Sequence, residues 1–80
     1  MPKGAISTKE FQKMLKALGF VQLRPAKRGH AIYRHSGTGL LASLPTMSEE
    51  VPAIVARAIT RQIEDYEIAS RDKIEEILHH

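Results

Sequence analysis

Eighty residues, 42% of them apolar and 26% charged, suffice for one small core that buries about 60% of the unfolded surface. That excludes a two-domain enzyme, a repeat array and a chain too polar to fold. The net charge of +3 hides a division: residues 1–40 carry eight bases against the single acid Glu10 (+7), and residues 41–80 carry four bases against eight acids (−4).

The first predicted element is a helix. Ser7 can cap it, and Glu10 three residues on completes a capping-box pattern in which each side chain satisfies an orphan backbone N–H. Phe11, Met14, Leu15 and Leu18 recur at helical spacing and form one apolar stripe. Gly19 stands where a left-handed residue ends a helix. Lys9, Lys13 and Lys16 lie off the stripe and face water or a ligand.

The middle of the chain predicts three strands. Residues 20–24 form a short one, which Pro25 ends because proline has no N–H for the ladder. Residues 26–29 make a basic turn. Residues 30–35 (HAIYRH) come next, with His30, Ile32 and Arg34 on one face and Ala31, Tyr33 and His35 on the other. The run Ser-Gly-Thr-Gly at 36–39 signals a hairpin, and residues 40–44 return, closed by Pro45.

The remainder predicts helix. Thr46 or Ser48 can cap it, Glu49 and Glu50 suit its positive end, and Pro52 is tolerated in the first turn. Val51, Ile54, Val55, Ala58, Ile59 and Ile63 form the expected buried stripe, closed by Tyr66 and Ile68. Ser70 is a fresh cap, with Ile74, Ile77 and Leu78 as the apolar positions of a short last helix. His79 and His80 fit either a native end or the start of a purification tag.

The expected fold is therefore α+β, in the order α-β-β-β-α with a short extra C-terminal helix. It is one domain over residues 1–80, with a core of about residues 7–66 and the last helix at about 70–78. Double-stranded-RNA-binding domains share that order and read A-form RNA by shape, phosphate and 2′-OH contacts. No apolar run nears the roughly 20 residues of a membrane span. Lys9, Glu10, Lys13 and Lys16 interrupt the stretch that a signal peptide would need apolar. The absence of cysteine removes disulfides, thiolate metal sites and a cysteine nucleophile, and fits a reducing cytoplasm.

A strongly basic half suits a polyanion, most commonly nucleic acid, and equally suits a solvated basic face. Catalytic equipment is sparse: there is no Ser-His-Asp set, no phosphate-cradling glycine loop and no paired histidines at metal-ligand spacing. The residue that stands out is His30, at a strand start. Histidine can take a proton from an RNA 2′-OH, or give one to a leaving oxygen, near neutral pH. Lys27, Arg28 and Arg34 can hold the scissile phosphate, and Gly29 lets another backbone come close. The same position also suits a histidine that caps the strand or packs beside Ile32. His35 reads as an exposed turn residue, Tyr33 as a sheet or core residue, and Arg57 and Arg61 as an outer helix face.

Residues 11–20 (FQKMLKALGF), then VQLRP, RGHAIYRH, a glycine turn, a strand ending in LP and a helix carrying IVARAITRQI together resemble the HicA family of bacterial mRNA interferase toxins. The resemblance covers nearly the whole chain. It implies a double-stranded-RNA-binding-like fold and a metal-independent, cofactor-free endoribonuclease acting on mRNA in the cytoplasm. It also implies a HicB-type antitoxin as protein partner. His30 matches the family's single catalytic histidine, residues 32–34 match the strand after it, and residues 59–62 fit the family's Ile-x-x-Gln-like pattern. The family's Gly-Ser before the histidine is Arg28-Gly29 here, so the serine's hydroxyl contact would fall to Ser36, Thr38 or water. Thr46 and Met47 come after Pro45 where many members carry a second histidine or arginine. The implied phosphate-binding set is Lys27, Arg28, Gly29 and Arg34, extended by Lys9, Lys13 and Lys16. A non-catalytic RNA-binding module of the same fold and a protein-interaction domain are the alternatives.

Overall fold

The computed structural model describes residues 6–24 and 28–78. Pro25, expected to end the strand at residues 20–24, Ala26 and Lys27 of the expected basic turn, and His79 and His80 lie outside the described residues. The order is β1 (Ile6–Ser7), α1 (Thr8–Ala17), β2 (Phe20–Gln22), β3 (His30–His35), β4 (Leu41–Pro45), β5 (Glu50–Val51), α2 (Ala53–Asp65) and α3 (Arg71–Leu78). This is a small α+β domain. Among the described residues it has three helices, a three-stranded antiparallel sheet and a two-stranded ribbon.

Helix α1 begins as its sequence dictates. Ser7 is extended, and its Oγ accepts the Glu10 N–H at 3.0 Å. The helix stops at Gly19, whose φ of +99° is left-handed and whose N–H reaches the Lys16 carbonyl at 3.1 Å. Phe11, Met14 and Leu15 are fully buried. Burial of such side chains is worth about 1.5–3 kcal/mol each.

The sheet runs in the order β2-β3-β4, with Val21 opposite Arg34, and Arg34 opposite Leu41. Alternation along the strands sends Phe20, Ala31, Tyr33, Ala42 and Leu44 to one face, where they join α1, Ile59, Ile63 and Ile74 in a single core. The helices thus cover one face of the sheet. The other face carries His30, Ile32, Arg34, Val21, Leu41 and Ser43 and stays open. No described helix is long and apolar enough to cross a membrane.

The expectations need four corrections. First, residues 50–51 are strand, not helix: β5 pairs with β1, Ile6 opposite Val51 and Ser7 opposite Glu50. A residue before proline is driven to extended backbone, so Pro52 holds Val51 out of the helix. Helix α2 starts at Ala53 with Pro52 as its N-cap and no side-chain cap. Second, Thr46 and Ser48 therefore do not cap it. The Ser48 Oγ takes the Glu50 N–H instead, at 3.2 Å.

Third, the buried stripe of α2 is Ala56, Ile59 and Ile63. Ile54 is 75% exposed, Ala58 is exposed and Tyr66 is half exposed. Six apolar residues span more than one helical face, and the core has room for only one. Fourth, the outer strands are shifted. The second strand ends at Gln22, although the Leu23 N–H still reaches the Ile32 carbonyl at 2.8 Å, and the returning strand is Leu41–Pro45. The last helix starts as expected, with the Ser70 Oγ accepting the Lys73 N–H at 3.2 Å.

Candidate functional site

His30 opens β3 on the uncovered face of the sheet, opposite Pro45 on β4, and is exposed. The turn before it is unusual. Arg28 has φ +55° and Gly29 φ +80°, so two successive residues are left-handed, which is strained for an arginine. That turn aims the Arg28 carbonyl at the imidazole, 3.3 Å from His30 Nδ1. A carbonyl only accepts, so the contact is a hydrogen bond when Nδ1 carries the proton. In that tautomer Nε2 keeps its lone pair and faces solvent. In that tautomer the turn leaves Nε2 as the ring's acceptor on the open face.

The loop after β4 closes against this turn. The Thr46 N–H bonds the Gly29 carbonyl at 2.7 Å. Met47 lies over Gly29 so closely that a β-carbon there would overlap its Cγ and sit 2.6 Å from its Sδ. Gly29 is therefore favoured by its left-handed φ, and a side chain there would also push the exposed Met47 side chain aside.

The basic residues do not converge on one point. Arg28 is exposed beside His30. Arg34 shares the open face, but four residues of strand put it about 13 Å along. There its guanidinium lies near Gly39. Lys9, Lys13 and Lys16 are exposed on α1, whose apolar stripe packs on the opposite, covered face of the sheet. They do not extend the surface around His30 and Arg34, although Lys9 borders the groove beside Met47. Lys27 lies outside the described residues. Lys9, Lys13, Lys16, Arg24, Arg28 and Arg34 pair with no described carboxylate. Ion pairs between described residues occur toward the other end of the chain, Arg71 with Glu64 and Lys73 with Glu76, each at 3.8 Å.

Three further side chains, His35, Ser36 and Thr38, resolve differently, whereas Tyr33 is the core residue expected. His35 is not an exposed turn residue. Its Nε2 lies 3.0 Å from the Leu18 carbonyl, its Nδ1 accepts the Thr38 N–H at 3.0 Å, and its ring tilts against Phe20 with centroids 5.1 Å apart. Ser36 and Thr38 serve that same end of the strand: the Ser36 Oγ bonds the Gly19 carbonyl, and the Thr38 Oγ1 contacts His35. Neither supplies a hydroxyl to His30. Tyr33 is a core residue, 1% exposed. Burial raises its hydroxyl above the ordinary value of 10.0, and a hydrogen bond from Gln12 lowers it in part.

Sequence reasoning missed the apolar character of the open face. Val21, Leu23 and Leu41 are each more than half exposed there, around a half-buried Ile32. The alternation in Val21-Gln22-Leu23 was the available signal, because it places both aliphatics opposite the core-facing set. Met47 carried no such signal, since its contact with Gly29 depends on how two loops meet. Comparison with protein-family models, with curated proteins and with solved structures finds no match to this chain.

Proposed function

We propose that this chain is a toxin-type endoribonuclease of double-stranded-RNA-binding-like fold, which cleaves mRNA without a metal in the cytoplasm. The observation that carries the reading is the His30 geometry: an exposed imidazole whose Nδ1 faces the Arg28 carbonyl at 3.3 Å, leaving Nε2 free on a face with unpaired arginines. Nε2 takes the proton from a ribose 2′-OH. The O2′–P bond then forms, the P–O5′ bond breaks, and the departing 5′-oxygen takes a proton from water. Arg28 stands nearest the scissile phosphate and offsets its developing charge. Arg34, farther along the strand, holds a different phosphate of the same RNA and sets its direction. One positioned acid–base group contributes about 10²–10⁴-fold, so the enzyme is slow.

The protein partner in this reading is a HicB-type antitoxin that covers the open face of the sheet. Exposed Val21, Leu23 and Leu41 support it, since apolar side chains ringed by cations suit an acidic, partly apolar protein surface. The second reading is an RNA-binding module without chemistry. It is favoured by one observation: among the described residues, the His30 ring has a backbone carbonyl as its hydrogen-bonding partner and no hydroxyl.

The test is incubation of the protein and its His30→Ala variant with long single-stranded RNA in EDTA, read on a gel. Cleavage by the parent alone establishes the nuclease with His30 at its centre. Equal cleavage by both removes His30 from the mechanism. Intact RNA with a salt-sensitive mobility shift selects the binding module.

A further inference from the structure

A groove of about 600 Å³ lies between the start of α1 and the loop joining β4 to β5, bordered by Lys9, Gln12, Thr46, Met47, Ser48 and Glu49. That volume is within the roughly 300–1,000 Å³ of small-ligand sites. Its walls are held in place. The Thr46 N–H bonds the Gly29 carbonyl at 2.7 Å, the Thr8 Oγ1 bonds the Ser48 carbonyl at 2.7 Å, and the Thr8 N–H bonds the Glu49 carbonyl at 2.8 Å. Between these anchors Met47 is 87% exposed, yet its thioether rests on Gly29, one residue from His30. Met47 thereby joins the groove, on the α1 side of the sheet end, to the turn that precedes His30 on the open face.

Its chemistry suits a flat, uncharged, hydrogen-bonding ring better than a second phosphate. Two of the first N–H groups of α1 are already occupied, Thr8 by the Glu49 carbonyl and Glu10 by the Ser7 Oγ. The Glu49 side chain stands at the rim, and Lys9 is the single cation. Donors and acceptors remain at the edge: the Thr46 hydroxyl, the Lys9 ammonium and the spare capacity of the Gln12 amide beyond its bond to Tyr33. A thioether is a favourable neighbour for an aromatic ring.

We propose that this groove is a nucleobase subsite, which holds the base next to the phosphate attacked at His30. Met47 lies against the ring, and Thr46, Gln12 and Lys9 meet its edge. The inference rests on the RNA-cleaving reading for its ligand class and goes beyond it by placing base recognition in these residues. The RNA then turns around the end of the sheet, with phosphate on the open face and one base toward α1.

The experiment is an NMR titration of isotope-labelled protein with each of the four nucleoside 3′-monophosphates, with inorganic phosphate as control. RNA cleavage is mapped in parallel. The expected result is saturable shifts at the Met47 methyl, the Thr46–Ser48 amides and the Gln12 side chain, strongest for one base and absent with phosphate. Met47→Ala should weaken that binding at least about tenfold and alter which RNA sites are cut. Thr46→Val should change the base preference while keeping the Thr46 N–H bond. Equal shifts with inorganic phosphate, or shifts confined to Val21, Leu23 and Leu41, overturn the subsite. RNA cut by the parent with no groove shifts overturns the subsite alone. Base-selective groove shifts with no RNA cut keep the subsite and overturn the nuclease.

Discussion

The two histidines of β3 stand five residues apart on one strand and have opposite fates. His30 is on the open face, with a single long contact to a backbone carbonyl. His35 is on the covered side, with both ring nitrogens engaged and its ring against Phe20. An odd separation along a strand sends side chains to opposite faces, so parity alone separates them. Their chemistry diverges as a result. An imidazole whose Nδ1 already accepts a backbone N–H has no free lone pair, and one with Nε2 in solvent does. His35 fastens the hairpin to the end of α1, and His30 is left available for chemistry.

The largest expected effect tests the available histidine. His30→Ala should lower RNA cleavage by about 10²-fold or more while leaving urea unfolding unchanged, because the side chain is exposed. A variant that loses stability in step with activity would remove the distinction between the two residues. His35→Ala should do the reverse. It strips the partner from the Leu18 carbonyl and the Thr38 N–H, which costs about 2–3 kcal/mol, and cleavage per folded molecule should hold. Chemical denaturation paired with activity measured well below the unfolding midpoint separates the two outcomes.

Gly29→Ala sharpens the comparison from the His30 end. A side chain there is strained at φ +80° and makes the exposed Met47 side chain move aside. The expected cost is about 1–2 kcal/mol, together with a loss of cleavage larger than the loss of folded protein, since the turn that aims the Arg28 carbonyl must shift. Cleavage that falls only in proportion to folded protein would show that this turn does not orient His30.

The smallest effect concerns Tyr33, which faces inward between the two histidines. Burial raises its hydroxyl above 10.0. The folded value is the higher one, so its contribution to stability is complete below pH 10 and is lost as pH rises from there through the folded value. Urea midpoints measured from pH 8 to pH 11 should fall, and Tyr33→Phe should shrink that fall. An unchanged alkaline slope in the variant would place the loss elsewhere.

Much of this was legible along the chain. The Ser7 cap, the Phe11-Met14-Leu15 stripe, the Gly19 stop and the strand at residues 30–35 are local effects of spacing and backbone preference, and they appear as expected. The parity that exposes His30 and buries Tyr33 was legible for the same reason. The second ribbon was not, because Ile6 opposite Val51 joins residues 45 positions apart. Nor was the true face of α2, since its surplus of apolar residues let several stripes compete.

The sequence by itself determined the α+β class, the succession of first helix, three-stranded sheet and two later helices, the basic and acidic halves and the singular position of His30. These arise from periodicity, turn residues and charge, which act over a few residues. Only the tertiary structure decided which cations share a face with His30, and that the α1 lysines do not. It alone set the Arg28 carbonyl against His30, tied His35 to Leu18 and laid Met47 on Gly29. Such contacts depend on where separate loops and helix ends meet, and packing of the whole core fixes that.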